Sequence, residues 1–372
     1  MGATGPFVEC FGELEDPRMV NKCRHQLMDI IVIAVCATIA NADGWEDIAL
    51  FGQSKAAWLK QWLDLPNGIP SADTFRRVFE HLDAQGFERC FVDWVQRVFE
   101  VTEGQVVAID GKVARGTCDG QGQGGLHLVS AWATANGLTL GQVPVADKAN
   151  EIVAIPQLLE VLALQGCIVT LDAIGCQKKI VQAICDHKAA YVVTVKDNQP
   201  TLSAHVQAAF AAQDALGWAN AAVARTEETG HGRHEIRQCW VLPDTHAATL
   251  GWQNCQTLIR IERTTTRGPK PPSHETHYYI SSVAGDAATL LQHIRDHWAI
   301  ENSCHWVLDV VFKEDASRTR YADHNLAVLR KMALNLVRQH PAKGSLKGKR
   351  YRAGLNEDFL TDVLQSSFNL MR

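Results

Sequence analysis

Two short apolar runs, each followed by an aspartate, are the feature that most constrains how this chain can fold. Residues 106–109 precede Asp110, and residues 167–171 precede Asp172. Short runs rich in β-branched residues, closed by turn-forming residues, are typical of buried strands. We therefore expect both carboxylates at strand ends, where a sheet presents side chains to a cleft. A second interpretation stays open for Asp110, because Asp-Gly is also a common turn sequence.

The sequence around these aspartates predicts the order of elements in the central region. Ala135-Asn136-Gly137 is a good hairpin turn between two strand-like runs. Strands are expected at residues 106–109, 126–134, 138–145, 167–171 and 191–195, and helices at 150–164 and 177–186. A three-stranded meander followed by helix, strand, helix and strand is the order of a ribonuclease H core. The expected fold class is α/β, with a ribonuclease H-like mixed sheet core.

The flanking regions predict further domains. Residues 10–100 have apolar residues at helical spacing, and Ser71 is a candidate N-cap. Arg76 and Arg77 on the following helix allow a helix-turn-helix hypothesis, although nearby acids neutralise that helix. The predicted domains are an all-helical N-terminal domain (1–100), the first part of the core (101–196), a β-rich insertion (197–285), the rest of the core (286–342) and a basic C-terminal tail (343–372), of which residues 343–354 are expected to be mobile.

A third carboxylate, Glu301, lies on a predicted helix over residues 287–312. A four-three spacing places it on one face with apolar residues, namely Ala287, Leu291, Ile294, Trp298, His305, Leu308 and Phe312. Burying an unpaired charge is costly, so Glu301 needs a cationic partner, which is either an arginine in a structural ion pair or a metal ion. Divalent cations relieve the repulsion between converging acids, and oxygen ligands select Mg²⁺ or Mn²⁺ over zinc.

Composition excludes several classes of protein. The eleven cysteines form no CxxC pair, so neither a disulfide framework nor a cysteine zinc site is expected. No apolar run reaches the roughly 20 residues of a membrane span, and the N-terminus lacks the features of a secretion signal, so a cytoplasmic protein is expected. The net charge is −5, but residues 313–352 hold eleven basic and three acidic residues, which predicts a local phosphate-binding patch.

Histidines on the predicted last-acid helix leave an alternative open. His293, His297 and His305 stand at four-residue steps with Glu301, which would suit a zinc site, but the HExxH order is absent. Packing in the core or contact with DNA and solvent are the competing interpretations. Trp298 and Trp306 are expected in the core, with stacking on an unpaired base as the alternative.

The chain resembles the DDE transposases of bacterial insertion sequences, in the ISAs-type branch of H-repeat-associated proteins. The resemblance covers nearly the whole chain and is carried by Asp16-Pro17-Arg18, Gly68-Ile69-Pro70-Ser71, Asp73-Thr74-Phe75, Ala108-Ile109-Asp110-Gly111-Lys112, Asp147-Lys148-Ala149-Asn150-Glu151-Ile152, Asp172-Ala173, Gly175-Cys176-Gln177, Lys196, Asn198-Gln199, Gly230-His231-Gly232-Arg233, His297-Trp298, Ile300-Glu301-Asn302, His305-Trp306, Leu308-Asp309-Val310, Phe312 and Glu314-Asp315. The chain departs from related transposases at Ile294, His297 and Leu308, where those have tyrosine, arginine and lysine.

The resemblance implies a ribonuclease H-like catalytic core with Asp110, Asp172 and Glu301 as ligands of two Mg²⁺ or Mn²⁺ ions. It implies cleavage and strand transfer of double-stranded DNA at the terminal repeats of an insertion sequence, by a homodimer in the synaptic complex. The protein is then expected in the bacterial cytoplasm, associated with the nucleoid when bound to DNA. DNA contacts are expected from Lys112, Lys196, Asn198, Arg233, His297, Asn302, Arg318 and Arg320.

Two other functions remain as alternatives. One is a ribonuclease H-like nuclease that cleaves DNA without strand transfer. The other is an inactive transposase remnant that binds DNA but no longer cuts it.

Overall fold

The structure is a computed structural model that describes residues 5–19, 23–100, 103–118, 125–145, 150–218, 222–230, 232–244, 246–319 and 321–368. The first helices within these ranges are α1 (Pro6–Phe11), α2 (Leu27–Ile39), α3 (Trp45–Ser54), α4 (Ala56–Leu59), α5 (Ala72–His81) and α6 (Ala84–Val98). Helices α7 (Glu151–Val161), α8 (Lys178–Asp186), α9 (Pro200–Ala215), α10 (His246–Thr249) and α11 (Ala287–His297) follow. The last are α12 (Trp306–Val310), α13 (Asp323–Gln339), α14 (Leu346–Leu355) and α15 (Glu357–Phe368).

The N-terminal region is helical, as expected from its periodicity. Ser71 caps α5, since its hydroxyl accepts a hydrogen bond from the Thr74 amide at 3.3 Å. Helix α2 is apolar on all sides and is buried along nearly its whole length, which is the pattern of a central helix. It packs against α13 from the other end of the chain, so the helical region and the core share one hydrophobic interior.

Within the described residues, nine strands form one mixed sheet in the order β3-β2-β1-β4-β5-β9-β8-β7-β6. The strands are β1 (Val106–Ala114), β2 (Leu126–Ala133), β3 (Leu138–Val145), β4 (Ile168–Leu171), β5 (Ala190–Val195), β6 (Ala222–Gly230), β7 (Arg233–Pro243), β8 (Thr257–Thr266) and β9 (Ser273–Ser281). Strand β1 is antiparallel to β2 and parallel to β4, and β4 is parallel to β5. This is the ribonuclease H-like core predicted from the sequence.

The insertion extends this sheet. Strand β9 pairs with β5, with Val193 opposite Ile280, and β8, β7 and β6 follow as an antiparallel series. The insertion was expected to be rich in β-strands, whereas the helix α9 was not expected. A continuous backbone hydrogen-bond network therefore runs from the strands that bear the aspartates to the tip of the insertion.

The expectation that residues 343–354 are mobile is wrong. Helix α14 begins after Ser345, whose hydroxyl accepts from the Gly348 amide at 3.1 Å, and α14 contacts α2, α13 and α15. Arg350 is fully buried and donates to the carbonyl oxygens of Val311 and Thr38. The basic segment is thus partly an interior feature, because Arg330 and Lys331 are buried as well.

No helix in the part of the chain that the structure describes is long and apolar enough to cross a membrane.

Candidate active site

Asp110 lies inside strand β1, opposite Ser130 of β2, and the strand continues to Ala114. The expected strand end at Asp110 and the turn interpretation of Asp110-Gly111 are therefore both wrong. The next residue is Gly111 because there is no room for a side chain there: a Cβ at this position would lie 2.2 Å from Glu151 Oε1 and 2.9 Å from His127 Nε2. Those two side chains are themselves paired at 2.8 Å and buried. The Asp-Gly pair therefore reflects a close approach beside the site.

Asp172 follows the last residue of β4. Because β1 and β4 are parallel neighbours, with Ile109 opposite Leu171, Asp110 and Asp172 occupy equivalent positions on adjacent strands. The Asp172 Oδ1 atom accepts hydrogen bonds from the amides of Ile174 at 2.9 Å and Gly175 at 3.3 Å. These bonds fix the orientation of the carboxylate toward the cleft.

Glu301 is brought to the same cleft by a π-helical segment, Ile300–His305, between α11 and α12. A cavity of about 290 Å³ is lined by Asp110, Asp172 and Glu301 together. The Glu301 side chain is 53% exposed, so it faces the cavity and the predicted buried stripe is interrupted. Trp298 and Trp306 are likewise more than half exposed, and their predicted core packing is wrong.

His305 is a member of this site that the sequence-based assignment of catalytic residues omitted. Its Nδ1 atom lies 3.6 Å from Asp110 Oδ2 and 3.7 Å from Glu301 Oε2, and its side chain is 5% exposed. The signal in the sequence was the four-residue step between Glu301 and His305, which was interpreted only as a possible zinc site. The π-helical winding of this segment could not be predicted from that step.

The acids of the site repel one another. Burial, Glu301 and Asp172 together raise the pKa of Asp110 to about 8. The neighbouring His305 lowers the pKa of Glu301, so the environments of the two carboxyl groups shift their pKa values in opposite directions. Such a cluster fits divalent cations, which replace the proton and relieve the repulsion. Asp110, Asp172, Glu301 and His305 are the residues that could hold them.

The predicted DNA contacts fall into distinct places. Lys196 and His297 line the cavity with the acids. The His297 Nδ1 atom lies 3.0 Å from the Thr170 hydroxyl, and burial lowers the pKa of His297. Arg233 and Asn302 line an adjoining cavity.

The other described residues predicted to contact DNA lie outside these cavities or have other partners. Asn198 donates to the Ala173 carbonyl at 2.8 Å, which holds the loop after β4. Arg318 is exposed but lines neither of the two cavities among the described residues. Arg320 lies outside the described residues.

Lys112 is neither solvated nor free to meet a phosphate. Its Nζ atom donates to Asp309 and, at 2.6 Å, to Glu314, and the side chain is 13% exposed. Burial by itself raises the pKa of Glu314, but Lys112, Lys331 and Arg330 outweigh it and bring the value down to about 2. Lys112 thus ties β1 to the segment after α12.

The adjoining cavity, of about 700 Å³, lies between the insertion and α11. It shares Glu301, Trp298, His277, Tyr279 and Ile294 with the acidic cavity. Four arginines line it, namely Arg233, Arg237, Arg263 and Arg295. Each has a glutamate within 3.4 Å, from Glu228, Glu235 or Glu275. A groove rich in arginine therefore leads from the insertion to the three acids.

A ribonuclease H-like sheet that gathers three carboxylates in one cleft beside an arginine-rich groove defines a class of enzymes that process nucleic acids. The chain belongs to the DDE transposase family: residues 101–336 match the family described as "Transposase DDE domain", and residues 8–95 match its companion "DDE_Tnp_1-associated".

Relatives agree with this membership. YncI of Escherichia coli O157:H7 and the H repeat-associated YhhI of Escherichia coli K12 both carry transposase in their names. YncI is 40% identical over 96% of this chain and 94% of its own length. YhhI is 34% identical over 95% of this chain and 96% of its own length. The predicted H-repeat-associated family is thereby confirmed.

One solved structure, the piggyBac transposase synaptic complex with hairpin DNA, matches with a TM-score of 0.42 and 12% identity, over 97% of this chain and 77% of that chain.

Proposed function

We propose that this protein binds the terminal repeats of an insertion sequence, cleaves DNA there in a metal-dependent reaction, and joins the freed 3′-hydroxyl ends to a target. The observation that carries the proposal is the meeting of Asp110, Asp172 and Glu301, which are far apart in the chain, in one cavity. The raised pKa of Asp110 supports a cationic partner for this cluster, and perturbed carboxylates in a cleft are typical of functional sites.

When bound, two Mg²⁺ or Mn²⁺ ions activate the attacking oxygen and stabilise the leaving oxygen of a phosphodiester. Asp110 and Asp172 would hold these ions from the sheet, and Glu301 from the opposite side. Bound ions would favour the deprotonated form of Asp110, whose pKa is raised without them. The backbone amides of Ile174 and Gly175 keep Asp172 in place without any rearrangement, which favours a preorganised site.

The DNA strand is proposed to follow the arginine-rich cavity. Arg233 and Asn302 face it, and Lys196 and His297 stand at its acidic end. Trp298 lines both cavities, and its exposed ring suits stacking on an unpaired base near the cleaved bond. The glutamates beside the arginines would give up their partners to phosphates, so binding should weaken strongly as salt rises.

Joining two transposon ends requires two active sites, so we propose a homodimer in the synaptic complex. Its place of action would be the bacterial cytoplasm, on the nucleoid.

The test is incubation of the purified protein with Mg²⁺ and DNA that carries the flanking inverted repeats. Wild type should nick at the repeat and then give joined product, whereas Asp172→Asn should do neither. Asp296→Asn is the matched control, because Asp296 lies on α11 and accepts a hydrogen bond from Gln292 at 2.7 Å without lining the acidic cavity.

Each alternative function has its own outcome. Cleavage without joined product would indicate a nuclease that lacks strand transfer. If wild type and Asp172→Asn both bind the repeats but neither cleaves DNA, the protein is an inactive remnant and the proposal is contradicted.

A further inference from the structure

We infer that His305 is a nitrogen ligand of the ion held between Asp110 and Glu301, and that it makes this ion site favour first-row transition metals over Mg²⁺. The inference rests on the proposed metal-dependent function. It changes the expectation of an oxygen-only ligand set, which was the reason for expecting magnesium.

The distances fit one ion. The ligand atoms of Asp110, Glu301 and His305 all lie within 4.8 Å of one another, and His305 Nδ1 lies 3.6 and 3.7 Å from the two carboxylate oxygens. Ligand atoms of a six-coordinate ion at about 2.1 Å lie about 3.0 Å apart when adjacent and about 4.2 Å apart when opposite. The two separations from His305 fall between these limits, and they are too long for direct hydrogen bonds.

The imidazole has no competing partner within the described residues. His305 is 5% exposed, and its Nε2 atom is buried without a hydrogen bond in that part of the chain. A buried polar ring of this kind normally has its nitrogens satisfied. The nitrogen that faces the two carboxylates is Nδ1, so a shared cation would give a partner to Nδ1 and to both carboxylates, but not to Nε2.

The backbone explains why Glu301 and His305 reach the same ion. In an α-helix, residues four apart are offset by about 40° around the axis. A π-helix winds more slowly, because its hydrogen bonds span five residues, so residues four apart are offset by a similar angle in the opposite sense and stay on one side of the helix. The segment Ile300–His305 has this winding, and its ends carry the two ligands on one side.

A nitrogen ligand has a chemical consequence. Mg²⁺ prefers oxygen ligands in a near-ideal octahedron, whereas first-row transition ions bind imidazole more readily. Mn²⁺ should therefore bind this site more tightly than Mg²⁺, and His305 should be the origin of most of that difference.

Pulsed EPR of the Mn²⁺-loaded full-length protein tests the inference directly, because a nitrogen bound to Mn²⁺ gives a ¹⁴N modulation of the signal. Wild type should show it and His305→Asn should not. His293→Gln is the matched control, since His293 lies on α11 outside the acidic cavity. Mn²⁺ bound by wild type without any ¹⁴N modulation would overturn the inference. A modulation that persists in His305→Asn and disappears in His297→Gln would assign the ligand to His297, and would overturn it equally.

Ion affinity gives a second readout. His305→Asn should weaken Mn²⁺ binding by about tenfold or more, judged by what removal of metal-supporting residues costs, and should change Mg²⁺ binding far less. An equal loss for both ions would show that His305 only supports the site, and the inference fails. A wild-type protein that binds no Mn²⁺ would instead contradict the metal-dependent function itself, so the two failures are distinguishable.

Discussion

Asp110 shows how much of the site's chemistry is concentrated in one side chain. It stands in the middle of a strand, it is mostly buried, and two other acids share its cavity. The local apolar run predicted that Asp110 adjoins a strand, but not that the strand continues past it. Its raised pKa was not predictable, because it arises from burial and from the charges of Glu301 and Asp172. For Trp298 the local pattern was misleading. Its place on a helical stripe predicted burial, whereas the structure exposes it at the junction of two cavities.

The metal-free protein should become less stable as pH rises, because of Asp110. Its folded-state pKa of about 8 lies above the ordinary value of 3.8, so the folded state retains a proton that the unfolded chain loses. The destabilisation grows from about pH 4 to about pH 8. In EDTA, Asp110→Asn should therefore raise Tm progressively over this window, and Mg²⁺ should reduce the difference. Thermal unfolding at several pH values checks this, and a pH-independent difference would contradict it.

Trp298 should contribute to binding of distorted DNA. Stacking of a base on an aromatic ring contributes about 1 to 3 kcal/mol, so Trp298→Ala should weaken binding of a repeat end with an unpaired base by about fivefold to a hundredfold. Trp298→Phe should retain most of the affinity, and fully paired DNA should be affected less. Fluorescence anisotropy measures all three. Equal losses for paired and unpaired DNA would argue against stacking.

Among the elements, those with a local signature were predictable. The first five strands have apolar runs, and the Asn-Gly turn sets the register of β2 and β3. Strand β6 could not be found in this way, because it is mostly exposed and carries Arg225, Glu227 and Glu228 in place of an apolar alternation. The π-helical segment has no comparable local signature, although the four-residue step between Glu301 and His305 already made them neighbours on one helical face.

The connection between β1 and the segment after α12 should depend on Lys112. Lys112→Met leaves Glu314, which is 2% exposed, without its hydrogen-bonded cation, and breaking a buried pair costs about 3 to 5 kcal/mol. The double variant Lys112→Met/Glu314→Gln should recover part of that loss. Urea unfolding measures both.

The control for this pair is Lys313→Met, whose exposed partner contact with Asp43 should contribute less than about 1 kcal/mol. A loss of the same small size from Lys112→Met would show that the buried pair is not structural.

At the scale of the whole molecule, the two ends of the described chain complete one interior. Helix α15 contacts α1, and α13 packs against α2. Glu88 on α6 joins His324 on α13 at 3.1 Å. Sequence patterns could not predict this closure, because the partners are more than two hundred residues apart. It also explains why a region that reads as a basic tail contains buried charges.

Removal of α14 and α15 by a stop after residue 342 should therefore prevent stable folding. Among the described side chains of these helices, five apolar ones are buried, namely Ala353, Phe359, Leu360, Val363 and Leu364. The four larger ones stabilise by about 1.5 to 3 kcal/mol each, which together approaches the whole stability of a typical domain. Soluble yield and Tm report the effect. Lys347→Ala, at an exposed position of α14, should leave both unchanged. A soluble truncated protein with an unchanged Tm would mean that these helices are dispensable.

The pairing of β9 with β5 leaves no hinge between the arginines of the insertion and the acids of the core. Swinging the insertion aside would rupture the ladder along residues 192–195. In the proposed complex with the terminal repeats, the duplex would then be the partner that bends or opens until its backbone meets a rigid template. Repeat ends whose cleavage point falls at an easily kinked pyrimidine–purine step are accordingly the substrates that such a template accepts at the lowest elastic cost.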